Sequence, residues 1–307
     1  MRETISTESD AREHEPLAPG LYLVATPIGN LEDMTLRGLR VLRGVDRIAC
    51  EDTRQTQKLL NHFQIRTPTV SYHRHNEVGR AAELVEELKA GARIAVVSDA
   101  GTPGIADPGA EIAEAAIAAG VVVYPIPGAN AALSALVASG LAGGEDELGA
   151  FAFRGFLPAK EGQRRTALDA LRAEAAGGGV AAGPQIFYEA PHRIVATLED
   201  VEAVFGAEQH VVLARELTKL HEEFLRGPVG DVRKELAERA AVRGEFVLVM
   251  RPRVGGGHAI SGAATLAEEV RAVMKGEGLD EKDALKRVAK ARGMGKSEAY
   301  REWQRTK

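Results

Sequence analysis

The chain has 307 residues, of which 45% are hydrophobic and 5% aromatic, so its length suits about two domains with aliphatic cores. Its single cysteine, Cys50, excludes an intrachain disulfide and a thiolate metal cluster, and no histidine or carboxylate spacing predicts a metal site. The formal net charge of −5 argues against indiscriminate phosphate binding to nucleic acids, but it leaves room for a local basic face.

The first 19 residues are polar and show no periodicity, so we expect a disordered leader over 1–19. This segment lacks the apolar core of a secretory signal. The longest apolar run, over 131–142, is too short to cross a bilayer. Together with the single cysteine, these features predict a cytoplasmic protein with no membrane partner.

Residues 20–142 predict an N-terminal α/β domain, because short apolar strands alternate with amphipathic helices. The predicted strands cover 21–25, 45–50, 93–98 and 121–126, and the predicted helices cover 35–44, 77–90, 109–119 and 131–139. This alternation is typical of a mainly parallel sheet covered by helices.

A linker near 143–146 precedes a second α/β domain over 147–252, in which the alternation is less regular. Its predicted strands cover 151–156, 185–188, 210–215 and 245–250, and its predicted helices cover 161–176, 194–205 and 229–241. After a glycine-rich linker, residues 260–307 predict a basic helical appendage with helices over 262–273 and 280–305. The sequence thus predicts two α/β domains with an inter-domain cleft and a C-terminal helical appendage.

Four loops of the N-terminal domain follow predicted strands, where open α/β sheets bind their ligands. Loop 25–31 carries a glycine that allows close backbone approach, and loop 50–54 (CEDTR) combines carboxylates, a hydroxyl and a guanidinium. Loop 97–109 holds three glycines and two prolines, which leave backbone amides uncovered, and loop 125–132 opens a helix with small residues. None of them matches a P-loop or a dinucleotide fingerprint.

Each of these loops also has a purely structural interpretation. Loop 25–31 can be a tight turn, and Asp52 or Thr53 can cap a helix beside a surface ion pair. Loop 97–109 can be a long connector, and loop 125–132 can serve helix–sheet packing alone.

Eight ordered stretches between about residues 21 and 250 resemble the tetrapyrrole-methylase superfamily, the class III AdoMet methyltransferases. They are LYLVATPIGNLEDMTLR, CEDTR, SYHRHNE, SDAGTPGIADPG, PIPGANAALSAL, FRGFLPAK, FYEAPHR and LARELTKLHEEFLRG. More narrowly, they are similar to the small-subunit methyltransferase I family, whose reaction is 2′-O-methylation of a cytidine ribose in 16S ribosomal RNA.

The resemblance implies that S-adenosyl-L-methionine (AdoMet) lies in the cleft between the two α/β domains. Carried over by position, the cofactor-binding residues are Pro27, Ile28, Asp99, Gly101, Thr102, Ile105, Ala106, Asn130, Ala131, Tyr188, Ala214 and Leu217. Tetrapyrrole-modifying members have Gly-Asp-Pro where this chain has Gly101-Thr102-Pro103, which points away from a tetrapyrrole substrate.

A ribose hydroxyl is a poor nucleophile at neutral pH, so a nearby base or cation would assist methyl transfer. Polar groups on the cleft loops predict a catalytic set of Glu51, Asp52, Arg54 and Lys160. Either acid can orient or deprotonate the hydroxyl, and Lys160 can stabilise an oxyanion or hold a phosphate. The residues predicted to contact RNA are Arg154, Arg164, Arg165, Arg193, Lys286 and Arg287.

The resemblance implies that the substrate is 16S ribosomal RNA assembled in the 30S subunit, and it also implies a homodimer. Two alternatives share parts of this pattern. One is a C-methyltransferase for a tetrapyrrole of the precorrin or uroporphyrinogen type. The other is a non-catalytic module that binds AdoMet or RNA.

Overall fold

Two five-stranded sheets dominate the structure, a computed structural model that describes residues 16–73, 77–143, 150–253, 270–271, 273–274, 280–291, 299–300 and 303. The chain divides into two units, Met1–Val254 and Gly255–Lys307. Both sheets belong to the first unit, whose halves are called here the N-terminal lobe (20–142) and the C-terminal lobe (150–253). The predicted boundaries of these two α/β domains stay predictions.

The N-terminal lobe contains the first sheet and five helices. Its strands are β1 (Gly20–Val24), β2 (Arg47–Cys50), β3 (Thr69–Ser71), β4 (Arg93–Val97) and β5 (Val123–Ile126). Its helices are α1 (Leu36–Gly44), α2 (Thr53–His62), α3 (Glu77–Lys89), α4 (Ala110–Ala118) and α5 (Ala131–Ser139). All strands are parallel, in the order β3-β2-β4-β1-β5, which confirms the predicted sheet type.

Strand β4 shows why the strands of this lobe appear in the sequence as continuous apolar runs. Ile94 and Val96 enter one hydrophobic cluster, whereas Ala95 and Val97 enter another. Successive side chains of a strand point to opposite faces, so both faces of the sheet are buried under helices. Every residue of β4 after the first therefore lies in the core.

The sequence did not predict two elements of this lobe, α2 and β3. Helix α2 begins after Asp52, whose carboxylate accepts the Arg54 amide at 2.8 Å. This N-cap and the inward pair Thr56 and Leu60, four residues apart, are the local signals of the helix. Strand β3 has only three residues, which is too short for a clear periodic pattern.

The C-terminal lobe is mixed rather than parallel. Its strands are β6 (Ala152–Phe156), β7 (Gln185–Glu189), β8 (His210–Arg215), β9 (Glu223–Pro228) and β10 (Phe246–Met250), and its helices are α6 (Glu161–Ala176), α7 (Ile194–Phe205) and α8 (Val229–Ala237). In the order β6-β7-β10-β8-β9, only β6 and β7 pair in parallel. Strand β9 was not predicted, because its charged residues hide its apolar positions.

Helix α5 joins the two lobes. Ala132, Ala135 and Leu136 of this helix pack against Ile186 of β7 and Val249 of β10 in one cluster. Small side chains allow a helix to lie close to a sheet, so the alanine-rich sequence of α5 fits this position. The contact fixes the two sheets relative to each other and therefore sets the cleft between them.

The second unit contains α9 (Glu281–Ala291), which packs around Trp303 through Val288 and Ala289. This helix agrees with the predicted helical character of the appendage. Most of the predicted helix over 262–273 lies outside the described residues, as do 292–298, 301–302 and 304–305 of the predicted helix over 280–305. Among the helices that the structure does describe, none is both long and apolar enough to cross a bilayer.

The predicted leader over 1–19 lies outside the described residues as far as residue 15. The remaining part is ordered against the N-terminal lobe, contrary to the prediction. Leu17 packs against the hydrophobic core, and the Ala18 carbonyl accepts a 2.6 Å hydrogen bond from the Tyr22 hydroxyl.

Candidate functional site

The loops after β1 and β4 are tied together at the carboxyl end of the first sheet. The backbone groups of Thr26 and Gly101 exchange two hydrogen bonds, of 2.8 and 3.0 Å. The Thr26 hydroxyl adds a third by donating to the Ser98 carbonyl at 3.2 Å, and within the loop after β4 the Ser98 hydroxyl donates to the Gly101 carbonyl at 3.1 Å. Gly101 has a φ of +89°, a conformation that side chains disfavour, and Ala106 in the same loop has a φ of +65°. The loop is thus held in a conformation that needs surrounding support.

The loop after β5 joins the same cluster through Thr102 and Asn130. The Thr102 hydroxyl donates to the Ala129 carbonyl at 3.1 Å, and the Asn130 side-chain amide donates to the Thr102 hydroxyl at 3.4 Å. The Asn130 carbonyl oxygen caps α5 by accepting the Leu133 amide at 3.0 Å. These contacts place polar groups at the opening of α5.

Between the lobes, these loops border a cavity of about 450 Å³, called here the cleft cavity. This volume lies within the range of small-molecule sites. The N-terminal lobe contributes Ile28, Glu51, Asp99, Ala100, Gly101, Thr102, Ile105, Ala106, Asp107, Asn130 and Ala131. The C-terminal lobe contributes Phe156, Tyr188, Glu189, Ala190, Pro191, Glu245, Phe246 and Val247.

The charged side chains that line the cleft cavity are all acidic. Five carboxylate side chains line it, and no lysine or arginine does among the residues that the structure describes. The five are Glu51, Asp99, Asp107, Glu189 and Glu245. Two of them form ion pairs with residues outside the lining, Glu189 with Arg193 at 3.1 Å and Glu245 with Lys219 at 2.9 Å. Such a lining favours a cationic ligand and opposes a phosphorylated one.

Tyr188 forms an aromatic wall on the C-terminal side. Its ring lies 4.9 Å from that of Phe153 and 5.7 Å from that of Phe156, both edge to face. Burial raises the pKa of the Tyr188 hydroxyl, which therefore stays neutral at physiological pH. With Ala190 and Val247, this ring gives the cavity an apolar side opposite its polar loops.

Most of the predicted cofactor-binding residues line the cleft cavity. They are Ile28, Asp99, Gly101, Thr102, Ile105, Ala106, Asn130, Ala131 and Tyr188. Two others do not line it: Ala214 and Leu217 pack in the cluster around α5. Ala214 lies in β8 and Leu217 in the following loop, and helix packing, which no local pattern shows, covers their side chains. Pro27 borders a neighbouring cavity instead.

The predicted catalytic set is dispersed. Glu51 lines the cleft cavity. Asp52 caps α2 and pairs with Arg54 at 3.1 Å, which is the structural interpretation of the CEDTR loop. The Asp52 amide also donates to Asp99 at 3.1 Å, so its backbone supports the site. Lys160 is exposed at the start of α6 and borders neither cavity.

Two predicted RNA contacts are internal ion pairs, which corrects the prediction for them. The Arg164 side chain is 5% exposed, and its guanidinium pairs with Asp200 at 2.5 Å. The Arg193 side chain is 19% exposed and pairs with the Glu189 carboxylate at 3.1 Å. The Thr197 hydroxyl donates a 2.6 Å hydrogen bond to the same carboxylate. A guanidinium held in such an ion pair does not reach an RNA phosphate, because breaking a buried ion pair is strongly unfavourable.

The other predicted RNA-binding residues are accessible. Arg165 is 45% exposed and shares Asp200, and Arg154 pairs with Glu174 at 3.3 Å. Lys286 and Arg287 lie on the exposed side of α9. Contact of these four residues with RNA stays a prediction.

The sequence missed one group of cavity residues, Glu245–Val247 at the start of β10, together with Phe156. The stretch Phe246–Met250 is uniformly apolar and buried, and nothing in it marks a ligand. Only the position of β10 at the centre of the second sheet brings this end to the cleft.

A second cavity of about 390 Å³, called here the side cavity, adjoins the first. Four residues border both cavities: Ile28, Asp99, Ala100 and Glu245. The side cavity is further lined by Thr26, Pro27, Gly29, Leu31, Gln55, Thr56, Lys58, Leu59, Ser98 and Lys219. It therefore combines two carboxylates with two ammonium groups and several hydroxyls.

Comparison with known proteins places this geometry in a family. The family model for Tetrapyrrole (Corrin/Porphyrin) Methylases matches residues 20–233. Ribosomal RNA small subunit methyltransferase I of Halalkalibacterium halodurans is 46% identical over 285 residues, which cover 91% of this chain and 93% of that protein. The protein of the same name from Synechocystis is 45% identical, over 91% of this chain and 95% of its own.

Among solved structures, diphthine synthase superposes with a TM-score of 0.57 at 16% identity. The match covers 76% of this chain and 89% of that one. At this identity the likeness shows a shared fold of two α/β lobes.

Proposed function

The chain belongs to the tetrapyrrole (corrin/porphyrin) methylase family and to its small-subunit methyltransferase I branch, and we propose that it methylates a cytidine ribose 2′-hydroxyl in 16S ribosomal RNA. It is an AdoMet-dependent methyltransferase, as its family membership shows. The ribose position and the cytidine rest on the motif resemblance.

The observation that carries this proposal is the acidic cleft cavity. AdoMet is cationic at its sulfonium and at its ammonium group, whereas nicotinamide dinucleotides and nucleoside triphosphates bring phosphates. The carboxylates of Glu51, Asp99 and Asp107 attract the first kind of ligand and repel the second. The lining therefore fits the cofactor of the family.

The two sides of the cavity suit the two ends of AdoMet. Asp99, the Gly101 backbone, Thr102 and Asn130 would hold its methionine end, because they offer a carboxylate, amides and hydroxyls. Tyr188 and Val247 would hold the adenine, which needs a flat apolar surface. These assignments are proposals drawn from the lining.

AdoMet supplies an electrophilic methyl group on a positively charged sulfur. The residues of this chain would align the acceptor hydroxyl with that group and receive its proton. Glu51 is the proposed proton acceptor, because its carboxylate lines the cleft cavity at the end of β2. Asp99 borders both cavities and would orient the hydroxyl.

The tetrapyrrole alternative is less well supported, because eight relatives of 43–47% identity carry the name Ribosomal RNA small subunit methyltransferase I. We propose an assembled 30S subunit as the substrate particle and the cytoplasm as the location. A homodimer stays a prediction of the resemblance.

Methyl transfer tests the proposal. We would incubate the protein with radiolabelled AdoMet and 30S subunits that lack ribose methylation, and map the label by nuclease digestion. Naked 16S ribosomal RNA in parallel distinguishes the particle from its RNA. Label on the 2′-oxygen of one cytidine is the expected result. Measured AdoMet binding without any label on 30S subunits or RNA would refute the proposal.

A further inference from the structure

Lys219 lies in the loop between β8 and β9 and carries two ion pairs. Its ammonium group lies 2.8 Å from Glu216 and 2.9 Å from Glu245. Two carboxylates leave part of the ammonium hydrogen-bonding capacity unused, since a lysine has three N–H donors. Lys219 borders the side cavity, and Glu245 borders both cavities.

The path of the Lys219 side chain depends on Gly29 of the N-terminal lobe. A Cβ atom built on Gly29 would lie 2.3 Å from Lys219 Cγ and 3.2 Å from the Leu217 carbonyl. Only a residue without a side chain lets the lysine cross this loop. The lysine thus reaches from the C-terminal lobe over the loop that follows β1.

The Lys219 loop is held in an unfavourable backbone conformation by many contacts. Glu216 and Thr218 both have positive φ values, of +51° and +65°. The Glu216 carboxylate accepts the Glu245 amide at 3.0 Å, and Glu222 accepts the Thr218 amide at 2.6 Å. Non-glycine residues in this region cost free energy and cluster at functional sites, where the surroundings enforce them.

The side cavity differs in chemistry from the cleft cavity. Its carboxylates, Asp99 and Glu245, are balanced by Lys58 and Lys219, and Thr26 and Ser98 add hydroxyls. A balanced, hydroxyl-rich lining suits a neutral polyol better than a free phosphate. Leu31 and Leu59 supply apolar surface for a ring.

We propose that the side cavity receives the acceptor nucleoside and that Lys219 positions its sugar by donating a hydrogen bond to it. This inference rests on the proposed function and adds the subsite and its positioning residue. The shared wall of Ile28, Asp99 and Glu245 would then bring the sugar next to the cleft cavity.

Lys219 acts as a donor and not as a base. Burial works to lower its pKa, but the hydrogen bonds that the ammonium donates to Glu216 and Glu245 outweigh burial and raise the pKa. The group therefore stays an ammonium at neutral pH. Its role is to orient the acceptor, while a carboxylate receives the proton.

The test compares Lys219→Met and Lys219→Arg with Lys89→Met as the matched control. Lys89 pairs with Glu86 at 2.9 Å in the same i,i+3 relation but borders neither cavity. Loss of one charged hydrogen bond predicts that Lys219→Met raises the KM for 30S subunits by about 10- to 100-fold. We expect AdoMet affinity and melting temperature to stay at wild-type values, and Lys219→Arg to recover part of the loss.

Gly29→Ala is the second variant, because it displaces the lysine without removing it. We expect it to raise the same KM, while Lys89→Met changes nothing. Unchanged kinetics in Lys219→Met and Gly29→Ala would overturn the inference and leave the proposed function intact. Parallel loss of AdoMet affinity and melting temperature would also overturn it, because that pattern reports a structural role. Absence of methyl transfer by the wild type would instead refute the proposed function.

Discussion

Replacement of Gly101 by alanine is expected to weaken AdoMet binding through the backbone alone. Gly101 has a φ of +89°, and the added Cβ would lie 3.3 Å from Ile28 Cγ2. A residue with a side chain pays about 1–2 kcal/mol in left-handed conformations. If the free loop relaxes to relieve this strain, AdoMet binding must return it to the strained conformation. The AdoMet Kd then rises by about 5- to 30-fold.

Gly91→Ala is the matched control for this prediction. Gly91 has a φ of +95°, no atom within 4 Å of its added Cβ, and a position just after α3, away from both cavities. The Gly91→Ala variant should lose about 1–2 kcal/mol of folding stability. Its AdoMet affinity should stay at the wild-type value. Calorimetric titration and urea unfolding of both variants measure the two quantities. Equal AdoMet affinities in the two variants would refute the placement of the cofactor against the Gly101 loop.

Three further predictions concern charged groups. Arg164→Met should lower the free energy of unfolding by about 1–3 kcal/mol, because the buried Asp200 carboxylate would keep only the half-exposed Arg165 as its partner; weaker 30S binding with unchanged urea unfolding would contradict this. Glu51→Gln should lower kcat far more than it lowers AdoMet affinity in titration, and an unchanged kcat would exclude Glu51 as the proton acceptor. Hydrogen bonds from Arg239 hold the pKa of Glu223 below its usual value. This carboxylate therefore stabilises the fold fully above its unfolded pKa of about 4.3. The stabilisation is lost as the pH falls through the lower pKa of the folded state. Glu223→Gln should therefore flatten the decline of stability in acid, as urea unfolding across pH would show, and an unchanged slope would contradict it.

The strands of the N-terminal lobe and the helices α5, α6 and α7 were predictable because their signals are local. Successive residues of β4 point to opposite faces of a sheet that is buried on both faces, which produces an unbroken apolar run. Strand β9 was not predictable in this way. It is an antiparallel partner of β8, and its pattern carries charges that pair only after folding, as Glu223 does with Arg239 at 2.7 Å.

The residues of the candidate site also fall into a group that the sequence could predict and a group that it could not. Asp99, Gly101 and Asn130 follow strands of one parallel sheet, so their convergence at its carboxyl edge follows from the chain order of strands and loops. Glu245 and Val247 reach the cavity only because β10 lies centrally in a mixed sheet whose order no local pattern gives.

The sequence by itself determined the alternation of strands and helices, the loops that carry polar groups, and the family whose motifs those loops share. Only the tertiary structure decided which charges remain available. Arg164 and Arg165 are neighbours in the chain, yet the first is buried against Asp200 and the second is half exposed. Charge is a property of one residue, whereas its neutralisation depends on a partner 36 residues away, and the folded chain alone brings the two together.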